Sequence, residues 1–67
     1  MNEYKVISKN GDFSCTYNAK DLKDAKRYAR FYRVHAMPWV DIKIYKNSEL
    51  LYDVVEKTLK VEFVKVV

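Results

Sequence analysis

Apolar and polar residues alternate from the start of the chain. Tyr4, Val6 and Ser8 interleave with Lys5, Ile7 and Lys9, and Phe13, Cys15 and Tyr17 interleave with Asp12, Ser14 and Thr16. A period of two puts each set on one face of a strand. Asn10-Gly11 stands between the two runs and favours a two-residue type I′ turn, whose central positions both need positive φ. The pattern predicts a β-hairpin over residues 3–17. A turn at 10–11 sets Lys9 against Asp12, Ser8 against Phe13, Val6 against Cys15 and Tyr4 against Tyr17. Tyr4, Val6, Phe13, Cys15 and Tyr17 then form one apolar face.

The period lengthens after residue 18. Leu22, Ala25, Ala29, Tyr32 and Ala36 fall on one stripe at about 100° per residue, which predicts a helix over residues 19–35. Asn18 is the expected N-cap, with Asp21 at the third helical position. Pro38 ends the segment. A period of two returns with Val40, Ile42 and Ile44, giving a strand over 39–46. Asn47-Ser48 marks a turn and residues 49–55 a returning strand. A three-residue loop with Ser48 in a bulge turns Leu50, Tyr52 and Val54 to the core. A two-residue loop turns Leu51, Asp53 and Val55 there and buries a carboxylate, so the first is preferred. Glu56-Lys57 reads as a further turn, and Leu59, Val61 and Phe63 start a fifth strand running to residue 67. The expected fold is α+β, ββαβββ, one helix packed on one face of an antiparallel sheet, as a single domain over residues 1–67.

Composition narrows the picture. Among 67 residues there are six tyrosines, three phenylalanines and one tryptophan, but one cysteine and one histidine. Stability must come from packing or association, since no intrachain disulfide can form and a zinc site lacks ligands. Without an apolar leader or a membrane-length apolar run, the expected location is the cytoplasm. The net charge of +4 permits contact with phosphate or an acidic protein.

Two surfaces are candidate binding sites. On the helix, Lys20, Lys23, Lys26, Arg27, Arg30 and Arg33 crowd one side, offset only by Asp21 and Asp24 toward the other edge. A basic ridge suits phosphate or an acidic partner, while the plainer explanation is a solvated face. Phe31 and Val34 point almost opposite the apolar stripe. Either they anchor a partner, or the helix ends near Arg33 and its last turn folds onto the sheet. Lys23, Arg27, Arg30, Phe31 and Val34 are the primary partner-binding candidates. The second surface is the sheet face away from the helix, where Trp39, Lys43, Tyr45 and Leu51 are expected with Ile7 and Val55. It reads as a homodimer interface, as an aromatic and basic platform for nucleic acid, or as a face covered by residues 64–67.

Catalytic signals are weak. Cys15 alternates with core-type residues and reads as a core thiol. His35 sits at a helix end, where capping is the common role. Asp41 and Asp53 are expected to oppose each other across two strands, but exposed edge positions explain them as well. The only glycine, Gly11, lies in a hairpin turn, so no phosphate-cradling loop exists. No catalytic residue, metal ligand or cofactor is assigned.

The strand EYKVISK (residues 3–9), the Asn10-Gly11 turn, the helix stretch DAKRYAR (24–30) and the hairpin VDIKIYKNSELLY (40–52) together resemble small accessory proteins of bacteriophages and other mobile elements. Inhibitors of host defence such as the anti-CRISPR proteins are among them. The resemblance is one of size and layout and transfers no site residue. It implies a non-enzymatic inhibitor in the host cytoplasm that blocks a protein partner bearing an acidic or nucleic-acid-binding surface. The alternatives are a nucleic-acid-binding protein, using the helix ridge or the aromatic sheet face, and a structural homodimer joined through the outer sheet face.

Overall fold

The computed structural model describes residues 2–57 and 60–66, Lys57 through its backbone alone. The elements follow as β1 (Tyr4–Asn10), β2 (Phe13–Ala19), α1 (Leu22–His35), β3 (Asp41–Lys46), β4 (Glu49–Lys57) and β5 (Lys60–Lys65). All strand pairs are antiparallel, in the order β2-β1-β3-β4-β5. The helix covers one face, so the α+β architecture is the expected one.

The first hairpin keeps its predicted faces but not its register. Val6 pairs with Tyr17, Ser8 with Cys15 and Asn10 with Phe13, so Gly11 and Asp12 are the central turn residues rather than Asn10 and Gly11. Gly11 has φ 62°, and Asp12 is not among the residues with positive φ. A positive φ confined to the first central position is the type II′ pattern, which favours glycine there. The slip is two residues, and an even slip leaves every side chain on its face. It also carries β2 on to Ala19, taking residues 19–21 out of the predicted helix.

The helix therefore starts at Leu22. Its N-cap is Asp21, not Asn18, and the Asp21 carboxylate accepts the Asp24 N–H at 2.8 Å. At the other end the Ala36 N–H donates to the Tyr32 carbonyl. The helix runs through His35, so its last turn does not fold onto the sheet. Arg33, expected on the basic ridge, is buried instead. Its guanidinium donates to the carbonyls of Val40 and Met37, each at 2.6 Å, and holds the loop that leads into β3. The Nε of Arg33 is buried without a partner.

Strand β3 begins at Asp41, two residues later than predicted, because Trp39 lies in a turn. Asn47 and Ser48 have φ of 50° and 71°, so the hairpin closes by a two-residue turn of the I′ kind. A bulge then shifts the register: Tyr45 pairs with Leu50 and Ile44 with Tyr52, leaving Leu51 as the extra residue. Tyr52 and Val54 reach the core side as predicted, but through a bulge rather than a three-residue loop. Leu50 sits opposite Tyr45 instead of joining them. Strand β4 continues through Glu56 and Lys57, where a turn was expected, and Lys57 pairs with Lys60. Leu59 and Val67 of the predicted fifth strand lie outside the described residues.

Val6, Ile42, Ile44 and Val54 from the sheet meet Ala25 and Ala29 of the helix, with Val40 at the entrance to β3. The alanines let the helix lie close to the sheet, and the central strands contribute the fully buried aliphatics. Burying each contributes about 1.5–3 kcal/mol. Phe13 and Cys15, predicted as core, are exposed. They share the helix side of the sheet, but β2 is an edge strand and the helix does not cover that end.

Candidate functional site: the outer face of the helix

Two adjacent rows at i, i+4 spacing form the solvent side of α1. One is Lys23, Arg27, Phe31 and His35, the other Lys26, Arg30 and Val34. These seven residues line one shallow open depression. Each row is basic toward the helix start and apolar or aromatic toward its end. Phe31 is 65% exposed and Val34 60%, and the Phe31 ring lies 4.4 Å from the His35 imidazole.

The basic members are held differently. Lys26 places its ammonium 4.7 Å from the Tyr52 ring centre, and Arg30 its guanidinium 5.6 Å from that of Phe63. Both contacts are cation–π and lean the side chains toward β4 and β5. Arg27 pairs with the buried Asp24 at 2.6 Å yet keeps 78% of its side chain exposed. Asp24 also accepts the Lys20 N–H and the Tyr17 hydroxyl. These bonds, that from Arg27 foremost, hold its carboxyl at about 2, well below the usual range. Tyr17's own hydrogen bond to Asp24 raises its hydroxyl above the ordinary value. Asp24 is thus a buried acceptor, not an exposed charge at the far edge.

All five primary candidates, Lys23, Arg27, Arg30, Phe31 and Val34, come together in the depression. Lys20 precedes the helix, and Arg33 lies beneath it. The sequence held the signal for Arg33, because residues 25, 29 and 33 form one i+4 row continuing from the two buried alanines. His35, read as a capping residue, joins the patch through Phe31.

The second candidate surface assembles in part: Ile7, Lys43 and Tyr45 line one shallow depression with Lys9 and Asp41, while Trp39 and Leu51 stand apart from it. Trp39 donates its indole N–H to Asn10 Oδ1 at 3.1 Å, beside the first hairpin turn. Tyr45 lies at the other end of β3, opposite Lys5, which is five residues along β1 from Asn10 and so roughly 16 Å from it at about 3.3 Å per residue. Lys43 lies between Ile7 and Asp53, and Leu51 sits in the bulge. Asp41 pairs with Lys9 and Asp53 with Lys43, so the two carboxylates do not oppose each other. Residues 64–66 do not fold over this face: Val64 and Lys65 belong to β5, and the Val66 N–H donates to the Leu51 carbonyl at 3.2 Å.

Among the described residues, no group of three or more His, Cys, Asp or Glu could hold a metal ion, and no helix is long and apolar enough to cross a membrane. Compared with protein-family models, curated proteins and solved structures, the chain finds no match.

Proposed function

We propose that the chain is a non-enzymatic protein-binding module that seats the outer face of α1 on a partner and blocks it sterically, in the manner of a phage inhibitor of host defence. The observation that carries this reading is the solvent-exposed pair Phe31 and Val34, bordered by Lys23, Lys26, Arg27 and Arg30 on a fully formed helix. A large apolar side chain with basic neighbours is the composition of an interface anchor with a steering rim. The partner it fits carries an acidic or nucleic-acid-binding groove with an apolar pocket for Phe31. The basic rim speeds encounter, and the aromatic anchor sets the lifetime of the complex.

The test is a tagged pull-down from host lysate with and without nuclease, run beside the double variant Lys23→Glu, Phe31→Ser. Arg27 stays intact because it compensates Asp24. Loss of a central aromatic anchor costs about 2 kcal/mol or more, roughly thirtyfold in affinity. A discrete protein retained after nuclease treatment and lost with the variant is the expected result. Recovery of nucleic acid, with affinity falling steeply as salt rises, would replace this function by nucleic-acid binding.

A further inference from the structure

An edge strand presents unpaired backbone donors and acceptors, and monomeric proteins guard such edges with charge, proline, bulges or brevity. The two edges of this sheet differ. Strand β5 carries Lys60, Glu62 and Lys65. Strand β2 runs seven residues, Phe13–Ala19, without a charged residue or a proline. It pairs with β1 without a register shift, and among the described residues nothing pairs with its outer side. Phe13 at its start is 79% exposed.

The turn fixes which backbone groups face outward. Asn10 and Phe13 flank a two-residue turn, so they form a hydrogen-bonded pair, and such pairs recur at every second residue. Cys15 and Tyr17 therefore bond inward to Ser8 and Val6. The N–H and C=O groups of Ser14, Thr16 and Asn18 point away from β1.

We propose that β2 is a homodimer interface, in which two copies join edge to edge, antiparallel about Thr16, into one continuous sheet. Ser14 then pairs with the partner's Asn18, and Thr16 with the partner's Thr16, so outward donors meet outward acceptors. On the helix side Phe13 meets the partner's Ala19 and Cys15 the partner's Tyr17, large residues against small. On the other face Thr–Thr and Ser–Asn pairs can hydrogen-bond. Charge selects this edge over the other. A chain of net charge +4 associates with itself most readily through a neutral contact. Full antiparallel overlap of β5 with a second β5 would set Lys60 against the partner's Lys65, a destabilising pair. The two-fold axis runs normal to the sheet, so both helices lie on the same side and the dimer presents two outer helix faces for bivalent binding. A single strand edge is a small interface, so monomer and dimer exchange.

The test is sedimentation velocity of the full chain across a concentration series, beside Thr16→Lys. That side chain faces the open side of the sheet, so circular dichroism should report an unchanged fold while two ammonium groups meet at the axis. The expected result is a concentration-dependent dimer for the natural chain and association weaker by roughly tenfold or more in the variant. A second readout uses Cys15→Ser as background. Thr16→Cys should give a covalent dimer on copper-phenanthroline oxidation, and Ser14→Cys should not, because residue 14 faces the partner's Asn18. A natural chain that stays monomeric throughout would overturn the proposal. So would a dimer indifferent to Thr16→Lys that cross-links equally from Ser14→Cys, which would place the contact on another surface.

Discussion

Asp24 joins three parts of the molecule through one carboxylate: the loop before the helix by the Lys20 N–H, strand β2 by the Tyr17 hydroxyl, and the helix face by Arg27. Tyr17 also stacks on Tyr28 with ring centres 3.9 Å apart, so β2 is fastened to the helix twice. The depressed carboxyl gives a pH dependence with a definite sign. Unfolded, Asp24 titrates near 3.8; folded, at about 2. Above about pH 4 both states are ionised and the stabilisation is complete. Between about pH 4 and 2 the unfolded chain takes up the proton first, and stability falls. Asp24→Asn should flatten that part of the profile and lower the unfolding midpoint at neutral pH, read as urea midpoints across the acid range. An unchanged acid slope would assign the sensitivity to other carboxylates. Composition showed Asp24 only as an acid on a helix; its partners lie three to seven residues away, but they converge on it only because the chain bends between the end of β2 and the helix start.

At the scale of elements, the turns explain where the expected registers moved. The β1–β2 and β3–β4 hairpins both close with two residues, but each uses a different mirror-image turn. Gly11 moves into the first central position, which the two-residue slip in β2 accommodates without turning any side chain over. The second turn holds Asn47 and Ser48 at positive φ. Serine is strained there and asparagine much less so. Ser48→Gly should therefore stabilise the protein by about 0.5–1 kcal/mol, seen as a higher thermal midpoint with an unchanged far-ultraviolet spectrum. A lower midpoint would mean that the bulge in β4, not the turn, sets this hairpin. The bulge had no local signature, since it follows from keeping Tyr52 and Val54 on the core side while Tyr45 stays opposite Leu50.

For the whole molecule, a radius of gyration of 11.0 Å matches the roughly 11 Å expected of a compact chain of this length. The aliphatic centre is small, with Ile42 and Ile44 its largest fully buried side chains. A domain of this size is stable by roughly 3–10 kcal/mol. Ile44→Ala should remove about 4 kcal/mol, enough to leave a substantial unfolded population in urea titration at ambient temperature. A loss below about 1 kcal/mol would mean that the neighbouring side chains collapse into the space. Edge-to-edge association through β2 would add to this stability by mass action, so midpoints would rise with protein concentration.

The sequence by itself determined the element order, the strand faces outside the bulge at Leu50–Leu51 and the apolar stripe of the helix, because periods of two and 3.6 are local properties of the backbone. It also placed Phe31 and Val34 opposite the apolar stripe, since angular position depends only on helical spacing; their exposure followed once the helix ran through His35. Tertiary structure alone decided the strand order, which makes β2 an edge and leaves Phe13 and Cys15 uncovered. It also decided which carbonyls Arg33 bonds, the separation of Trp39 from Tyr45, and the bonds around Asp24. Asp24 and Arg33 find their partners only three to seven residues away, but whether those groups converge depends on how the chain bends between elements, and exposure of β2 depends on which strand lies at the rim; periodicity carries neither.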